Sequence, residues 1–409
     1  MVHLKKKCYL LILVSVLAVS MGLLPATTNA DTKLITAPKT INIGVSIELT
    51  GPTAMAGELL KRGYTLALEK VNAAGGIEGI PVKLVYEDDK GTNPGIVAAV
   101  NKLIYDHKVL SILGCARSTQ VHAIHPLITE TKVPTIYGGT AWSLRELGNP
   151  WLFGIRMNDR ARAESVATYL VEGLGHTKVA SLHADEAYGQ GGSQETAAFL
   201  SAKYGIEPLI EQMFTRGTKD FTPQLLKIKQ TGATGIYVWC PNPEDEAILL
   251  RQVKQLGLDV DLIGGAFEDA ATLVPIAGKD AEGAYAVVDY CPDMSPVAQY
   301  LYDKSMEDHG IPASFVHQEA YDGLIVMVDA IRRAGIVQTV DGKKMMLPLE
   351  DSRTAIAEAL RQTKSLTEGV TKEYSCNEYG DLAHSMIVVR IEDGKHVPIE
   401  TVNLLEAAE

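Results

Sequence analysis

Hydroxyl-bearing and glycine residues gather at three places in this chain, each directly after an apolar run and before a helix-like one. They are Leu49-Thr50-Gly51-Pro52-Thr53, Arg117-Ser118-Thr119-Gln120 and Gly138-Gly139-Thr140-Ala141-Trp142. Helix N-termini there offer unpaired N–H groups and the positive end of a dipole, which suits a carboxylate. Ser118, Thr119 and Thr140 add hydroxyl donors, and Gly139 lets the backbone come close to a ligand. The plainer role for Ser118 or Thr119 is to cap its own helix. Arg117 either pairs with an anionic ligand or lies at the surface.

A second set of tips differs in character. Asp185-Glu186-Ala187-Tyr188, Cys240-Pro241-Asn242 and Ala266-Phe267-Glu268-Asp269 bring carboxylates and rings. Opposed to the donor-rich tips across a cleft, the tips that carry Tyr188, Asn242, Phe267 and Glu268 would suit a zwitterion, with its carboxylate on the first set and its ammonium on a carboxylate of the second. Charged hydrogen bonds contribute roughly 1.5–3 kcal/mol each, so three or four, less the ordering cost, reach the ~8 kcal/mol of micromolar binding.

Catalytic patterns are missing: no G-x-S-x-G, no H-E-x-x-H and no P-loop. Gly189-Gln190-Gly191-Gly192 has the wrong spacing for a dinucleotide fingerprint. His122 and His125 lack a third ligand nearby. The expectation is therefore binding without catalysis, cofactor or metal ion.

The elements that must position these tips alternate. Strands over Ile41–Val45, Val82–Tyr86, Val109–Leu113 and Thr135–Tyr137 are separated by helical stripes, the first carrying Leu60, Tyr64, Ala67 and Val71. The pattern restarts at Lys178–His183 and runs through Glu211–Phe214, Gly235–Trp239, Leu262–Gly264 and Gly283–Tyr290. Such alternation builds parallel sheets covered on both faces, with ligands beyond the carboxyl ends of the strands. The reading is α/β, with two Rossmann-like lobes. Residues 38–157 with 288–372 form the first lobe, because the helix over Tyr321–Ala334 needs that sheet to pack on. Residues 158–287 with 373–409 form the second.

The first thirty residues read as a secretory signal: Lys5-Lys6-Lys7, an apolar run from Tyr9 to Leu24, then Thr28-Asn29-Ala30 before polar Asp31. Cleavage after Ala30 would remove three lysines from a chain already at net charge −12. An acidic chain with no basic stripe excludes nucleic acid as the expected partner. Cys115, Cys240, Cys291 and Cys376 would face an oxidising compartment, and three pairings are open to them. Cys240–Cys291 ranks first, because each ends a strand-like run of the same lobe.

In order along the chain, Leu49-Thr50-Gly51-Pro52, Val71-Asn72-Ala73-Ala74-Gly75-Gly76-Ile77, Tyr86-Glu87-Asp88-Asp89, Ser118-Thr119-Gln120, Tyr188-Gly189-Gln190-Gly191 and Tyr321-Asp322 resemble the periplasmic branched-chain amino-acid-binding proteins. These are type I substrate-binding proteins of ABC importers. The resemblance runs from about Ile41 onward. It implies three crossover strands, Venus-flytrap closure over a small ligand, and delivery in the periplasm to permease subunits. It places the ligand carboxylate at Ser118-Thr119 and Gly139-Thr140-Ala141, and Tyr188 at the cleft. Two departures follow. Ala266 stands where the family's ammonium-binding glutamate belongs, with Glu268 and Asp269 just beyond. Cys240-Pro241-Asn242 replaces a tyrosine. A soluble sensor of the same fold is the alternative reading.

Overall fold

A computed structural model describes residues 33–402 apart from Ser365, Thr367 and Lys372. The signal segment and its expected cleavage point lie outside the described residues. Among those described, no helix is long and apolar enough to cross a membrane.

The apolar runs become strands, buried on both faces in the interior of each sheet and partly exposed at its edges. The first sheet holds β1 (Ile41–Ile47), β2 (Val82–Asp88), β3 (Ile112–Gly114), β4 (Thr135–Tyr137) and β5 (Leu152–Gly154), all parallel, in the order β2-β1-β3-β4-β5. The second sheet has seven strands: β6 (Val179–Ala184), β7 (Glu211–Phe214), β8 (Gly235–Trp239), β9 (Asp261–Gly264), β10 (Tyr285–Val288), β11 (Met386–Glu392) and β12 (Lys395–Val402). Their order is β12-β11-β10-β9-β8-β6-β7, with β11 and β12 antiparallel to their neighbours. Each sheet carries an apolar core on either face.

Helix α1 (Ala54–Ala73) buries Leu60, Tyr64, Ala67 and Val71, as their spacing requires. Gly75 and Gly76 end it at positive φ, +91° and +67°, where a side chain would be strained. The long helix α7 (Phe315–Arg333) follows the second sheet in sequence yet packs on the first. At Gly63 of α1 a Cβ would overlap the His317 carbonyl oxygen, so glycine permits the close crossing. Among the helices between them in sequence are α2 (Ser118–Thr131), α3 (Asp159–Thr168), α4 (Ala187–Phe199), α5 (Pro243–Gln255) and α6 (Ala270–Ala277).

The chain passes between the sheets three times: at Ile155–Asn158 after β5, at Asp289–Cys291 after β10, and at His384–Ser385 before β11. The result is two α/β lobes on a three-segment hinge. Asp322 of α7 anchors the last return, accepting hydrogen bonds from Val370 N (2.6 Å), Thr371 N (3.2 Å), Tyr374 Oη (2.7 Å) and Gln318 Nε2 (3.2 Å).

The disulfide expected between Cys240 and Cys291 is not formed; all four described cysteines are free. Sheet order explains it. Cys240 follows β8 and Cys291 follows β10, and β9 lies between them. Two inter-strand spacings, about 9.5 Å, exceed the ~6.8 Å Cα separation a disulfide tolerates.

Candidate functional site

The carboxyl ends of both sheets face one cavity of about 120 Å³. An apolar pocket of ~150 Å³ takes benzene, so this space fits a metabolite of roughly amino-acid size. Arg117, Ser118, Thr119, Thr140, Tyr188 and Glu268 line it, six residues expected from the strand-tip rule.

At the first-lobe wall, Gln120 N and Val121 N bond to Arg117 O, leaving the N–H groups of Ser118 and Thr119 outside the helical pattern. Ser118 Oγ accepts from Ala141 N at 3.1 Å. That bond holds the Gly138–Ala141 turn against α2, and at Gly139 a Cβ would sit 2.9 Å from Ser118 Cα. Gly139 and Ala141 thus shape the wall from behind and do not line the cavity. Thr140 lines it, while its carbonyl accepts from Asp159 N at 2.8 Å.

Across the cleft, Tyr188 stands on α4 with its ring edge-on to Trp239, centroids 5.4 Å apart. Its hydroxyl donates to the Gly265 carbonyl, and burial pushes the phenol pKa well above its usual value. The glycine run beside it serves packing. A Cβ at Gly189 would overlap the Ala184 carbonyl oxygen, and one at Gly192 the Trp239 ring. Asn242 lines an adjoining recess instead, bonded to Asp245 at 3.3 Å. Phe267 is fully buried in the second-lobe core, at φ +63°, and its ring does not line the cavity. The strand-tip rule gives a residue's height on the sheet; it does not give the direction of its side chain.

Cavity residues outside the tips read from the sequence include Leu60, Arg156, Arg216, Phe315, Val316 and Glu319. Glu48, one residue before the Leu49 tip, also lines the wall. Three guanidinium–carboxylate pairs result. Arg117 Nη2 meets Glu48 Oε1 at 2.9 Å, Arg216 grips both Glu186 oxygens at 2.8 and 2.7 Å, and Arg156 meets Glu268 at 2.6 Å. Arg117 is therefore neither a surface residue nor a free anion receptor.

The Glu268 pair extends into the hinge. Glu268 also meets Arg162 at 2.8 Å, and both arginines reach Asp289, at 2.7 and 2.9 Å. Burial opposes ionisation of Asp289, yet Arg162 and Arg156 outweigh it and hold the carboxyl far below its usual range. Arg156 belongs to the first crossover and Asp289 to the second. His384 of the third lies 3.9 Å from Asp289. One ionic cluster thus ties the first two hinge segments to the cavity floor, with the buried His384 imidazole of the third packed beside it, its pKa lowered by burial. Arg156 also stacks on the Phe315 ring, 4.2 Å from its centroid. Asp269, the other acid after β9, caps α6 by accepting from Thr272 N at 3.3 Å.

Residues 40–395 match the family described as periplasmic binding protein. The chain belongs to that family. This binding protein is 30% identical over 366 residues to a Leu/Ile/Val-binding protein homolog of Brucella melitensis, covering 88% of this chain and 94% of the relative. It is 28% identical over 348 residues to the leucine-, isoleucine-, valine-, threonine- and alanine-binding protein of Pseudomonas aeruginosa, covering 85% and 88%. A leucine binding protein from Thermotoga maritima superposes with a TM-score of 0.78 at 24% identity, over 90% of this chain and 99% of that one, which establishes the shared fold. The family and the first two of these relatives are named for binding, and capture of a solute is what that family membership supports.

Two buried acids of this binding protein carry a pH signature. Burial pushes Glu319 up to about 8 and Asp159 up to about 7, both above their ordinary values. A carboxyl with a raised folded-state pKa keeps a proton that the unfolded chain has lost, so stability falls as pH rises through that window. The buried His317 and His396, lowered by burial to about 3 and about 4, act oppositely, but only below about pH 6.5. Ligand-free protein should therefore lose roughly 1–2 kcal/mol between about pH 6.5 and 8. Thermal unfolding across that range checks it; stability that is flat or rising would count against these protonation states.

Proposed function

We propose that this protein captures a small carboxylate ligand, an amino acid or a close relative of one, between its two lobes and hands it to the permease of an ABC importer. One observation carries the reading. A cavity of about 120 Å³ lies at the carboxyl ends of both parallel sheets, with the open N-terminus of α2 at Ser118 and Thr119 on one wall and Tyr188 on the other. The first wall supplies N–H and hydroxyl donors for a carboxylate. The second supplies an aromatic face for the rest of the ligand. The names of the relatives, which bind leucine, isoleucine, valine, threonine or alanine, point to the same class.

The lobes divide as residues 38–157 with 288–372 and 158–287 with 373–409, so that closure bends the chain where the three crossovers lie. Export follows cleavage after Ala30, which puts the mature protein in the periplasm.

A thermal-shift screen of amino acids, their amides, short-chain acids and aromatic acids tests the reading. A ligand at 100 times its Kd should add about 2.7 kcal/mol to unfolding. A screen in which no carboxylate-bearing compound raises the melting temperature would overturn it.

A further inference from the structure

Four carboxylates line the cavity, and three are already matched. Glu48, Glu186 and Glu268 each hold an arginine at 2.9 Å or less. Asp269, just behind, is engaged as a helix cap. Glu319 is the exception. It projects from the second turn of α7, is 4% exposed, lines the cavity and makes no hydrogen bond to any described residue. With the three pairs neutralised, it is the one acid in the cavity without a counter-cation of its own.

Its position is as telling as its isolation. A Cβ at Gly138 would overlap Glu319 Oε1, and one at Gly139 would lie 3.0 Å from Ser118 N. Two adjacent glycines therefore separate this carboxyl from the open N–H groups of α2, and adjacent Cα atoms are about 3.8 Å apart. In an α-amino acid a single carbon separates carboxylate from ammonium, so one small molecule can span both positions. A cation is also what a buried lone carboxyl lacks, since burial costs a charge heavily unless it is paired.

We infer that Glu319 receives the ammonium of the bound ligand. The cavity then selects α-amino acids over simple carboxylates, and the recognising acid comes from the first lobe, where the second lobe has Ala266. This rests on the carboxylate-binding reading of the cleft given above. Glu319 faces Arg156 of the first crossover, Asp289 of the second, Glu48 after β1 and Glu268 after β9, with Tyr64 of α1 and Cys115 after β3 nearby. Arg156 is the one cation among them and is held by Glu268 and Asp289. Binding an ammonium therefore ionises Glu319, with release of its proton below about pH 8.

Calorimetry on the mature full-length chain tests this with leucine, isoleucine, valine, threonine and alanine, each beside the same acid lacking its amino group. At least one amino acid should bind, and its deamino analogue should bind about 100-fold more weakly. Glu319→Gln, which keeps shape and loses charge, should fold with an undiminished melting temperature and lose about 100-fold in amino-acid affinity. Wild-type affinity should rise by up to about tenfold per pH unit from pH 6 to 8, and that slope should vanish in Glu319→Gln. Equal binding of the deamino acid, or full amino-acid affinity in Glu319→Gln, would overturn this inference alone. If neither series binds, the carboxylate reading of the cleft falls with it.

Discussion

Alanine in place of Arg156 is expected to lower unfolding stability by about 3–5 kcal/mol and to abolish ligand binding. The arginine is almost fully buried and neutralises Glu268 and Asp289 together with Arg162. Its removal leaves two buried carboxylates on one guanidinium, and breaking such a pair costs more than forming it contributes, because the orphaned charge stays buried. The loss is a large fraction of a typical 5–15 kcal/mol total. Arg156→Lys should recover part of it, since it keeps the charge but not the fork that reaches both acids. Urea unfolding measures the effect. A loss below about 1 kcal/mol would mean the cluster behaves as a solvated surface pair.

Tyr188→Ala should weaken ligand binding by about 2–4 kcal/mol, roughly 30- to 1,000-fold. The ring is the second lobe's principal apolar wall and is braced from behind by Trp239. Tyr188→Phe keeps the wall and loses only the bond to the Gly265 carbonyl. It should cost about 1 kcal/mol, near fivefold in affinity. Titration calorimetry with the best ligand from the screen separates the two. A Kd for Tyr188→Ala equal to that of the wild type would remove this residue from the site.

Much of the scaffold is legible from periodicity alone. Thr135–Tyr137, Glu211–Phe214 and Gly235–Trp239 are strands with the bounds their apolar residues suggest. The return of α7 to the first sheet follows from its need for a surface to cover. Leu152–Gly154 escapes because three residues after Asn149-Pro150 are too few to show alternation; only pairing with β4 makes them a strand. The site divides along the same line. Ser118, Thr119, Thr140, Tyr188 and Glu268 follow directly on strands or open helices that do, so topology brings them together. Arg156 sits on a crossover, and Phe315 and Glu319 on a helix far along the chain, where no strand-tip rule reaches. Glu319 leaves one trace in the sequence: an acid spaced four residues from Phe315 and four from Gly323, on one stripe of a largely buried helix.

Solution scattering with and without the ligand that most raises the melting temperature tests the clamp most directly. Capture between two lobes on a three-segment hinge predicts a smaller radius of gyration at saturation, in the same samples whose melting temperature rises. An unchanged radius at saturating ligand would contradict closure and leave a rigid binding cleft in its place.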